Sequence, residues 1–396
     1  MQFTDFSKLD LGRLPTPCYV VDEVAIERNL KLLKEIEQRS GAKILHALKA
    51  FSLWDLAPLT NQYLSGTCSS GLHEAKLAQD YYEGEVHVFS TAFSESDLSE
   101  LLTFADHIVF NSCSQLYRFK DLCWQVKKAR PALTFGLRIN PEHSEGAVSL
   151  YDPCSKGSRL GVTRSQLDKY LRMQDFNDAY ALLSGFHFHT LCEQGFHPLQ
   201  RTLDAVEEQF SDLLLKMDWV NFGGGHHLTH PDYEVEELIG CVQQYKAKYS
   251  VDVYLEPGEA IAIGTGVLVS EILDISFNEI SQAILDTSAT CHMPDVLEMP
   301  YRPDVFNEVQ ESPDAYRYRF GGLTCLAGDV IGDYSFSRPL KIGDRLIFED
   351  MAHYTMVKTS TFNGTKLPAI AIWNSNTNQL KVVREFGYND FVMRLS

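Results

Sequence analysis

The chain has 396 residues, of which 44% are hydrophobic and 22% charged, and its formal net charge at pH 7 is -18. This length predicts two domains, and the composition is typical of a soluble globular protein, which excludes a disordered or membrane-embedded chain. The negative charge argues against nucleic acids and anionic membrane surfaces as partners.

The first predicted elements are one strand and one helix. Cys18–Asp22 is a β-rich run that follows two prolines. Apolar residues then recur at helical spacing, at Ile26, Leu30, Leu33 and Ile36, and Gly41 closes the predicted helix.

Predicted strands and helices alternate from residue 44 to residue 256. The strands are Ile44–Leu48, Gly66–Ser69, Val86–Ser90, His107–Asn111, Leu133–Asn140, Leu183–His189, Trp219–Phe222 and Val251–Glu256. The helical patterns between them include Leu72–Tyr82, Ser96–Phe104, Gln115–Lys128 and Leu199–Met217, the last of which Pro198 is expected to open. This α/β alternation favours a (β/α)8 TIM-like barrel. A GxGxxG turn after the first strand is absent, which disfavours a Rossmann sheet.

The pattern changes after about Ile263 to strands without long helices between them. These strands are Gly266–Ile275, Ser281–Leu285, Arg317–Phe320, Leu346–Glu349, Ala369–Ile372 and Leu380–Arg384. They predict a C-terminal β-barrel or β-sandwich domain that includes the N-terminal strand near Tyr19. The predicted domains are therefore a barrel over residues 23–263 and a β-domain built from residues 1–22 and 264–396.

Cysteine usage and the N-terminus predict a cytoplasmic protein. The nine cysteines are an odd number without regular CxxC spacing, which indicates reduced thiols rather than a disulfide framework. The N-terminal residues lack the basic and apolar segments of a secretory signal. No apolar stretch reaches the roughly 20 residues that a membrane-spanning helix needs.

Polar or glycine residues follow the carboxyl ends of several predicted barrel strands, where barrel enzymes build their sites. They are Lys49, Arg138, His187, His189, Gly223-Gly224-Gly225 and Glu256-Pro257-Gly258. Lys49 follows an apolar run, and apolar surroundings lower the pKa of an ammonium group. The neutral amine suits imine chemistry with an aldehyde cofactor. Backbone N–H groups of three consecutive glycines suit a phosphate. Together these residues predict an aldehyde-phosphate cofactor in the barrel mouth.

Each of these groups also has a structural interpretation. The glycines are compatible with a flexible turn, and Glu256 is compatible with a cap of the next turn. His189 is compatible with a satisfied core histidine, and Arg138 with a salt bridge in the barrel wall. His226, His227 and His230 lie close in sequence, but no spacing completes a recognised zinc pattern, so no metal is expected.

Several segments resemble the fold-type III pyridoxal-phosphate decarboxylases, the alanine-racemase-like barrel group that includes ornithine and diaminopimelate decarboxylases. The resemblance covers nearly the whole chain. The matching segments are Ala47–Ala50, Phe188-His189, Gly223–Gly225, Glu256–Gly258, Gly322–Cys325 and Tyr354-Thr355. Within this family, His46–Ser52 and Thr290–Glu298 resemble the carboxynorspermidine decarboxylases, which also act on carboxyspermidine.

The resemblance implies pyridoxal 5'-phosphate as the cofactor and decarboxylation of a carboxylated polyamine to norspermidine or spermidine. It implies that Lys49 holds the cofactor covalently, that His189 stacks on its ring, and that Glu256 pairs with its ring nitrogen. The triple glycine and Tyr354 would hold the phosphate. Cys325 of a second subunit would return a proton to the substrate carbon, which implies a homodimer with active sites at the interface. The structural alternative for Cys325 is a small buried thiol.

Three positions depart from the amino-acid decarboxylases of this family. Glu259 stands where those enzymes usually have an arginine near the phosphate. Thr190-Leu191-Cys192 replaces a segment with a phosphate-binding serine, and Leu326 replaces an acidic residue that meets the distal amine of the substrate. These changes argue for a substrate other than ornithine or lysine.

A polyamine tail carries protonated amines, which need carboxylates along their path. The candidates are Asp295, Glu298 and Asp329, with a solvated loop as the alternative, above all for Glu298. Sequence does not separate carboxynorspermidine from carboxyspermidine, because one methylene is worth only about 1–3 kcal/mol in a pocket.

Three other functions stay open. A diaminopimelate decarboxylase would need an arginine for a distal carboxylate, and Arg302 is the candidate. A racemase would need a second base, usually tyrosine, where Cys325 stands, so Cys325 disfavours it. A non-catalytic, cofactor-binding regulator is compatible with the missing arginine, although Lys49 is present.

Overall fold

The structure is a computed structural model that describes residues 4–146 and 152–396. The chain forms two compact units, one of Asn29–Ile261 and one of Met1–Arg28 with Ala262–Ser396. We propose that they correspond to the predicted barrel domain, residues 23–263, and to the predicted β-domain, residues 1–22 and 264–396.

The chain begins with a buried strand and an amphipathic helix. All five residues of β1, Cys18–Asp22, are buried. Helix α1, Glu23–Ser40, buries the apolar residues that recur at helical spacing, Ile26, Leu30, Leu33 and Ile36. Gly41 follows in a left-handed conformation, with φ of 72°, which ends the helix as predicted.

Eight parallel strands close into a barrel, in the order in which they follow one another along the chain. They are β2 (Lys43–Ala47), β3 (Gly66–Ser69), β4 (Glu85–Ser90), β5 (His107–Phe110), β6 (Thr134–Arg138), β7 (Leu183–His187), β8 (Trp219–Asn221) and β9 (Asp252–Leu255). Strand β9 pairs with β2 and completes the ring. The predicted TIM-like barrel is therefore confirmed.

The barrel interior is filled around one tryptophan. Trp219 packs with Leu45, Val109 and Tyr254. On β6 and β7, a Cβ at Gly136 or Gly185 would lie 2.3 or 2.0 Å from the Trp219 ring. These two glycines are needed because the indole occupies the space that larger residues would fill.

Helices lie between the barrel strands. They are α2 (Ala57–Thr60), α3 (Leu72–Tyr81), α4 (Glu95–Leu101), α5 (Cys113–Ala129), α6 (Arg164–Leu171), α7 (Asn177–Tyr180), α8 (Phe196–Leu214), α9 (Val235–Tyr249) and α10 (Glu259–Ala262). Side-chain caps start several of them; at α6, Thr163 and Gln166 form a capping box. The predicted opening of α8 by Pro198 is wrong, since the helix begins at Phe196. Pro198 lies within the first turn, where a helix needs no N–H.

The second unit contains a mixed sheet. Its strands after β1 are β10 (Gly266–Asn278), β11 (Ile280–Leu285), β12 (Tyr316–Gly321), β13 (Val330–Phe336), β14 (Arg345–Phe348), β15 (Ala369–Asn374) and β16 (Gln379–Arg384). The order is β13-β12-β11-β10-β1-β15-β16, and β14 pairs with β10. Strand β1 lies between β10 and β15, which confirms that the N-terminal strand joins this sheet.

Short helices complete this unit, α11 (Ala289–His292), α12 (Asp295–Glu298) and α13 (Tyr388–Val392). All nine cysteines are free thiols in the described part of the chain. Across residues 4–146 and 152–396, none of the helices combines the length and the apolarity that crossing a membrane requires.

Candidate active site

A cavity of about 230 Å³ lies at the carboxyl ends of the barrel strands. The residues around it include Lys49, Cys68, Phe89, Arg138, His187, His189 and Glu256. The structure therefore brings together four of the cofactor-binding residues predicted from the sequence, Lys49, Arg138, His189 and Glu256.

Lys49 lies in the turn after β2, two residues beyond the last residue of the strand, Ala47. Its side chain is exposed, whereas the neighbouring apolar residues are buried. The backbone of this turn is tied to adjacent strands, because Ala47 N–H donates to the Pro257 carbonyl at 3.0 Å and Leu48 N–H to the Cys68 carbonyl at 3.1 Å. The fixed backbone directs the amine of Lys49 to the cavity.

Glu256 follows β9 and presents a carboxylate that is held at both oxygens. Asn221 Nδ2 donates to Oε1 at 2.7 Å, and His187 Nε2 lies 3.2 Å from Oε2. Burial alone would raise the pKa of Glu256, but His187, Lys49 and Asn221 outweigh it and lower the pKa to about 2. The cavity therefore contains a fixed carboxylate anion, the group that would hold a protonated ring nitrogen.

His187 is the last residue of β7 and is buried beneath the cavity. Burial lowers its pKa, so the ring is neutral and its Nε2–H is the donor to Glu256. The ring stacks on Phe89, with centroids 5.5 Å apart and planes at 25°. Nδ1 is buried and makes no hydrogen bond with any described residue. The sequence placed His187 at a strand end without giving it a role.

His189 lies two residues beyond β7 and is oriented by the glycine loop. Gly224 N–H donates to His189 Nδ1 at 2.9 Å, which places the ring proton on Nε2. Burial, with Lys49 and Arg138 nearby, lowers the pKa of His189 well below its usual value. The imidazole is therefore neutral, as a ring that stacks on a flat cofactor should be. Its stacking role stays a prediction.

The three glycines are required by close backbone contacts. A Cβ at Gly223, where φ is 72°, would lie 2.3 Å from the Phe188 carbonyl, and one at Gly225, where φ is 83°, would lie 2.0 Å from the Leu191 carbonyl. Gly223 N–H already donates to Asn221 Oδ1 at 2.8 Å. With Gly224 bonded to His189, only the N–H of Gly225 is unpaired within the described residues. Phosphate binding by this loop stays a prediction.

Arg138, the last residue of β6, is a buried cation beside the cavity. Its Nη2 donates to the His189 carbonyl at 3.1 Å, and its guanidinium lies 4.7 Å from the centroid of Phe89. Burial lowers its pKa to about 10, so it stays charged at neutral pH. It forms no salt bridge with another described residue. Glu256 acts on Arg138 only through space, and a buried guanidinium without a direct ion pair favours an anionic ligand over the barrel-wall alternative.

The loop that carries Cys325 lies in the unit with the mixed sheet. Cys325 is exposed, and its backbone N–H donates to Asn363 Oδ1 at 3.0 Å. Asp329 is buried and accepts hydrogen bonds from the Thr324 hydroxyl at 2.7 Å and the Ser288 hydroxyl at 2.9 Å. The Asp329 carboxylate thus ties the Cys325 loop to α11, and its predicted contact with substrate stays a prediction.

The other predicted residues of this unit lie on α12 and in a tight turn. Lys358 Nζ pairs with both Asp295 and Glu298, at 2.9 Å from the latter. The Lys358 ammonium therefore already occupies this carboxylate pair, and the predicted contact of Asp295 and Glu298 with the substrate stays a prediction. Tyr354 is half-buried in a left-handed conformation, with φ of 48°, and its carbonyl accepts from Lys358 N–H at 3.1 Å.

Glu259 and the neighbouring histidines form a separate polar group. His227 Nε2 lies 3.4 Å from Glu259 Oε2, and the rings of His227 and His230 stack with centroids 6.1 Å apart. His226 is buried, and burial lowers its pKa to about 4. The carboxylate that replaces the family arginine therefore has a histidine partner.

A second cluster lies at the amino ends of β4 and β5. Ligand atoms of Glu85, His87 and His107 lie within 4.8 Å of one another. The two imidazoles are stacked, with centroids 3.8 Å apart and planes at 15°. One metal ion cannot lie in both ring planes, as imidazole ligation requires, and Lys43 Nζ lies 2.5 Å from Glu85. The geometry favours a hydrogen-bonded charge network over a metal centre.

Known proteins resemble this chain over nearly its whole length. A family model described as pyridoxal-dependent decarboxylase, C-terminal sheet domain, matches residues 18–352. The carboxynorspermidine/carboxyspermidine decarboxylase of Campylobacter jejuni is 41% identical over 394 residues, covering 96% of this chain and 99% of that protein. The carboxyaminopropylagmatine decarboxylase of Synechocystis is also 41% identical, over 388 residues, covering 97% of this chain and 96% of that protein.

A solved structure also resembles this chain over nearly its whole length. Carboxynorspermidine decarboxylase from Campylobacter jejuni, complexed with norspermidine, matches with a TM-score of 0.86 at 40% identity. The match covers 96% of this chain and 100% of that one.

Proposed function

The chain belongs to the pyridoxal-dependent decarboxylases, and we propose that it removes the carboxylate of carboxynorspermidine and carboxyspermidine, giving norspermidine and spermidine. The proposal depends on 41% identity over nearly the full length to an enzyme named for these two substrates. We place the reaction in polyamine biosynthesis and in the cytoplasm.

The residues around the cavity fit pyridoxal 5'-phosphate. Arg138 is a buried cation that makes no salt bridge with a described residue, and Glu256 is a fixed anion. Lys49 supplies an exposed amine to the same cavity. When bound, the cofactor accepts the electrons that remain on the substrate carbon as carbon dioxide leaves.

Each residue then has a distinct task. Lys49 would hold the cofactor covalently through its aldehyde group. Glu256 holds the proton of the ring nitrogen, and Asn221 holds the Glu256 carboxylate. The neutral His189 ring would stack on the cofactor, and Arg138 and the Gly225 N–H would offer a positive charge and a donor to its anionic groups.

We propose that Cys325 of the partner subunit returns a proton to the substrate carbon. Cys325 is exposed on a loop fixed by Asp329 and Asn363, so its thiol is available to a second molecule. The assembly is then a homodimer in which each active site takes Lys49 from one chain and Cys325 from the other.

Replacing Cys325 with alanine should lower kcat about 10- to 100-fold, because proton transfer by a positioned group contributes at least this much. KM should change less than about twofold, since the thiol acts after carbon dioxide has left. Initial rates of carbon dioxide release measure both quantities. Cys241→Ala, at a half-buried cysteine on α9, is the control and should keep wild-type kinetics.

The shared site can be tested by mixing two inactive variants. Equal amounts of Lys49→Ala and Cys325→Ala chains, dissociated and reassembled together, should recover about a quarter of wild-type activity, because a mixed dimer has one intact site. Activity that stays at the level of the separate variants would contradict a site built from two subunits.

Asp295→Asn should raise KM for carboxynorspermidine about tenfold, which corresponds to about 1.4 kcal/mol of binding. The reason is that Asp295 and Glu298 already hold the ammonium of Lys358. Lys358→Ala should lower KM, because it removes the competing cation. Asp121→Asn, at a side chain that is 93% exposed, is the control. An unchanged KM in Asp295→Asn would place the polyamine tail elsewhere.

The substrate is tested by carbon dioxide release from the protein loaded with pyridoxal phosphate. Carboxynorspermidine, carboxyspermidine, carboxyaminopropylagmatine, diaminopimelate and ornithine are compared in one assay. The highest kcat/KM is expected for the first two. Preference for carboxyaminopropylagmatine would keep the reaction and change the substrate tail, and absence of release from all five would contradict the proposal.

The diaminopimelate alternative is disfavoured by the state of its candidate arginine. Arg302 pairs with Glu308 at 2.8 and 3.3 Å, and its guanidinium lies 4.5 Å from the centroid of Tyr334. Since this cation is already paired, it does not offer a free site for a distal carboxylate.

A further inference from the structure

His187 is a buried imidazole with a single polar partner. Its Nε2 lies 3.2 Å from Glu256 Oε2, whereas its Nδ1 makes no hydrogen bond with a described residue. A histidine that served only to fill the core would destabilise the fold, since a buried nitrogen without a hydrogen bond is unfavourable. The one bond it makes is to the carboxylate in the cavity.

The position of this ring is fixed by packing. His187 stacks on Phe89, and the guanidinium of Arg138 lies 4.7 Å from the centroid of the same ring. Phe89 therefore contacts both the histidine that holds Glu256 and the Arg138 guanidinium beside the same cavity. The imidazole has little freedom to turn away from Glu256.

Glu256 is held by Asn221 at Oε1 and by His187 at Oε2, and the Cys68 thiol also forms a hydrogen bond with this carboxylate. Asn221 donates to Oε1 at 2.7 Å, and Asn221 also accepts the N–H of Gly223 at 2.8 Å. Loss of the imidazole donor at Oε2 would remove one of the contacts that fix the orientation of this carboxylate. The other groups with charge or a titratable proton that face this pair are Lys49, Arg138, Cys68, His189 and His226.

We propose that His187 is a positioning residue that donates Nε2–H to Glu256 and so orients this carboxylate toward the ring nitrogen of the cofactor. The inference rests on the proposed function, because the ring nitrogen belongs to pyridoxal phosphate. His187 lines the cavity, but its part in this role is to hold the Glu256 carboxylate rather than to take part in the chemistry. It acts through Glu256 alone.

The test compares His187→Leu, which has no donor, with His187→Gln, whose side-chain amide can donate from a similar position. His187→Leu should lower kcat about tenfold with KM changed less than about twofold, and His187→Gln should recover most of the loss. The pH midpoint of the absorbance band of the bound cofactor should shift in His187→Leu and return in His187→Gln. His187→Ser is a second variant without a suitable donor, for use if the leucine protein does not fold.

A cofactor analogue distinguishes an effect of His187 on the orientation of Glu256 from a general disturbance of the fold. With 1-deaza-pyridoxal phosphate, which lacks the ring nitrogen, wild type and His187→Leu should have the same kcat. An equal loss with both cofactors would overturn the inference, as would a lower unfolding temperature with unchanged absorbance and kcat. Failure of the proposed function would look different, because wild type itself would then release no carbon dioxide.

Discussion

Lys49→Ala is expected to abolish the visible absorbance of the bound cofactor and to lower kcat at least about a thousandfold, or about 4 kcal/mol. The exposed amine of Lys49 lines the cavity. Lys49 is the only lysine among the described residues that line the cavity, so no second amine can take its place. Absorbance spectra and carbon dioxide release measure the two effects.

A second lysine of the same strand provides the control. Lys43 is the first residue of β2 and pairs with Glu85 at the amino ends of the barrel strands. Lys43→Ala should keep the absorbance band and a kcat within about threefold of wild type, because it lies away from the cavity. A loss of activity in Lys43→Ala as large as in Lys49→Ala would show that the assay reports folding rather than chemistry.

The barrel could be predicted from sequence because its strands are short buried runs between turn signals. β3 was placed at Gly66–Ser69 with both ends correct, and the other barrel strands differ by few residues. Strand β13, Val330–Phe336, was missed, because Gly332 and Asp333 interrupt its apolar pattern. Asp333 forms a salt bridge with Arg319 on the neighbouring strand β12, at 2.7 Å. Such a pair becomes visible only when the strands are adjacent.

Separation along the chain also decides which contacts of the candidate active site can be predicted from the sequence. Lys49 and Glu256 were identified because the carboxyl ends of parallel strands converge in a barrel. The hydrogen bond between His187 and Glu256 joins residues 69 positions apart, and nothing local in the sequence predicts it. The ammonium of Lys358 between Asp295 and Glu298 is equally long-range.

The glycine loop shows how a correct motif can work differently from its prediction. Three backbone N–H groups were expected to face a phosphate, but those of Gly223 and Gly224 bond to Asn221 and His189. The loop therefore orients the side chains of Asn221 and His189. Phosphate binding by the Gly225 N–H and by Arg138 stays a prediction.

Glu256→Gln is expected to lower kcat about 100- to 1000-fold while the cofactor stays bound through Lys49. The amide that replaces the carboxylate carries no charge, so it no longer keeps a proton on the ring nitrogen. Glu85→Gln is the matched control, because burial is likewise outweighed there by His87 and Lys43, which lower the pKa of Glu85. That variant should lose stability but keep kcat within about threefold.

The pH dependence of Glu256 gives a second, independent readout. Its pKa is lowered from 4.5 to about 2, so its charge stabilises the folded protein above pH 4.5 and this contribution is lost as the pH falls toward 2. The difference in unfolding free energy between wild type and Glu256→Gln should be constant from about pH 5 to 8 and shrink below pH 4.5. Wild-type kcat should show no Glu256 limb above pH 5, because the carboxylate is ionised throughout that range. A limb near pH 6 that Glu256→Gln removes would mean that the carboxylate titrates there and cannot be the fixed anion of the site.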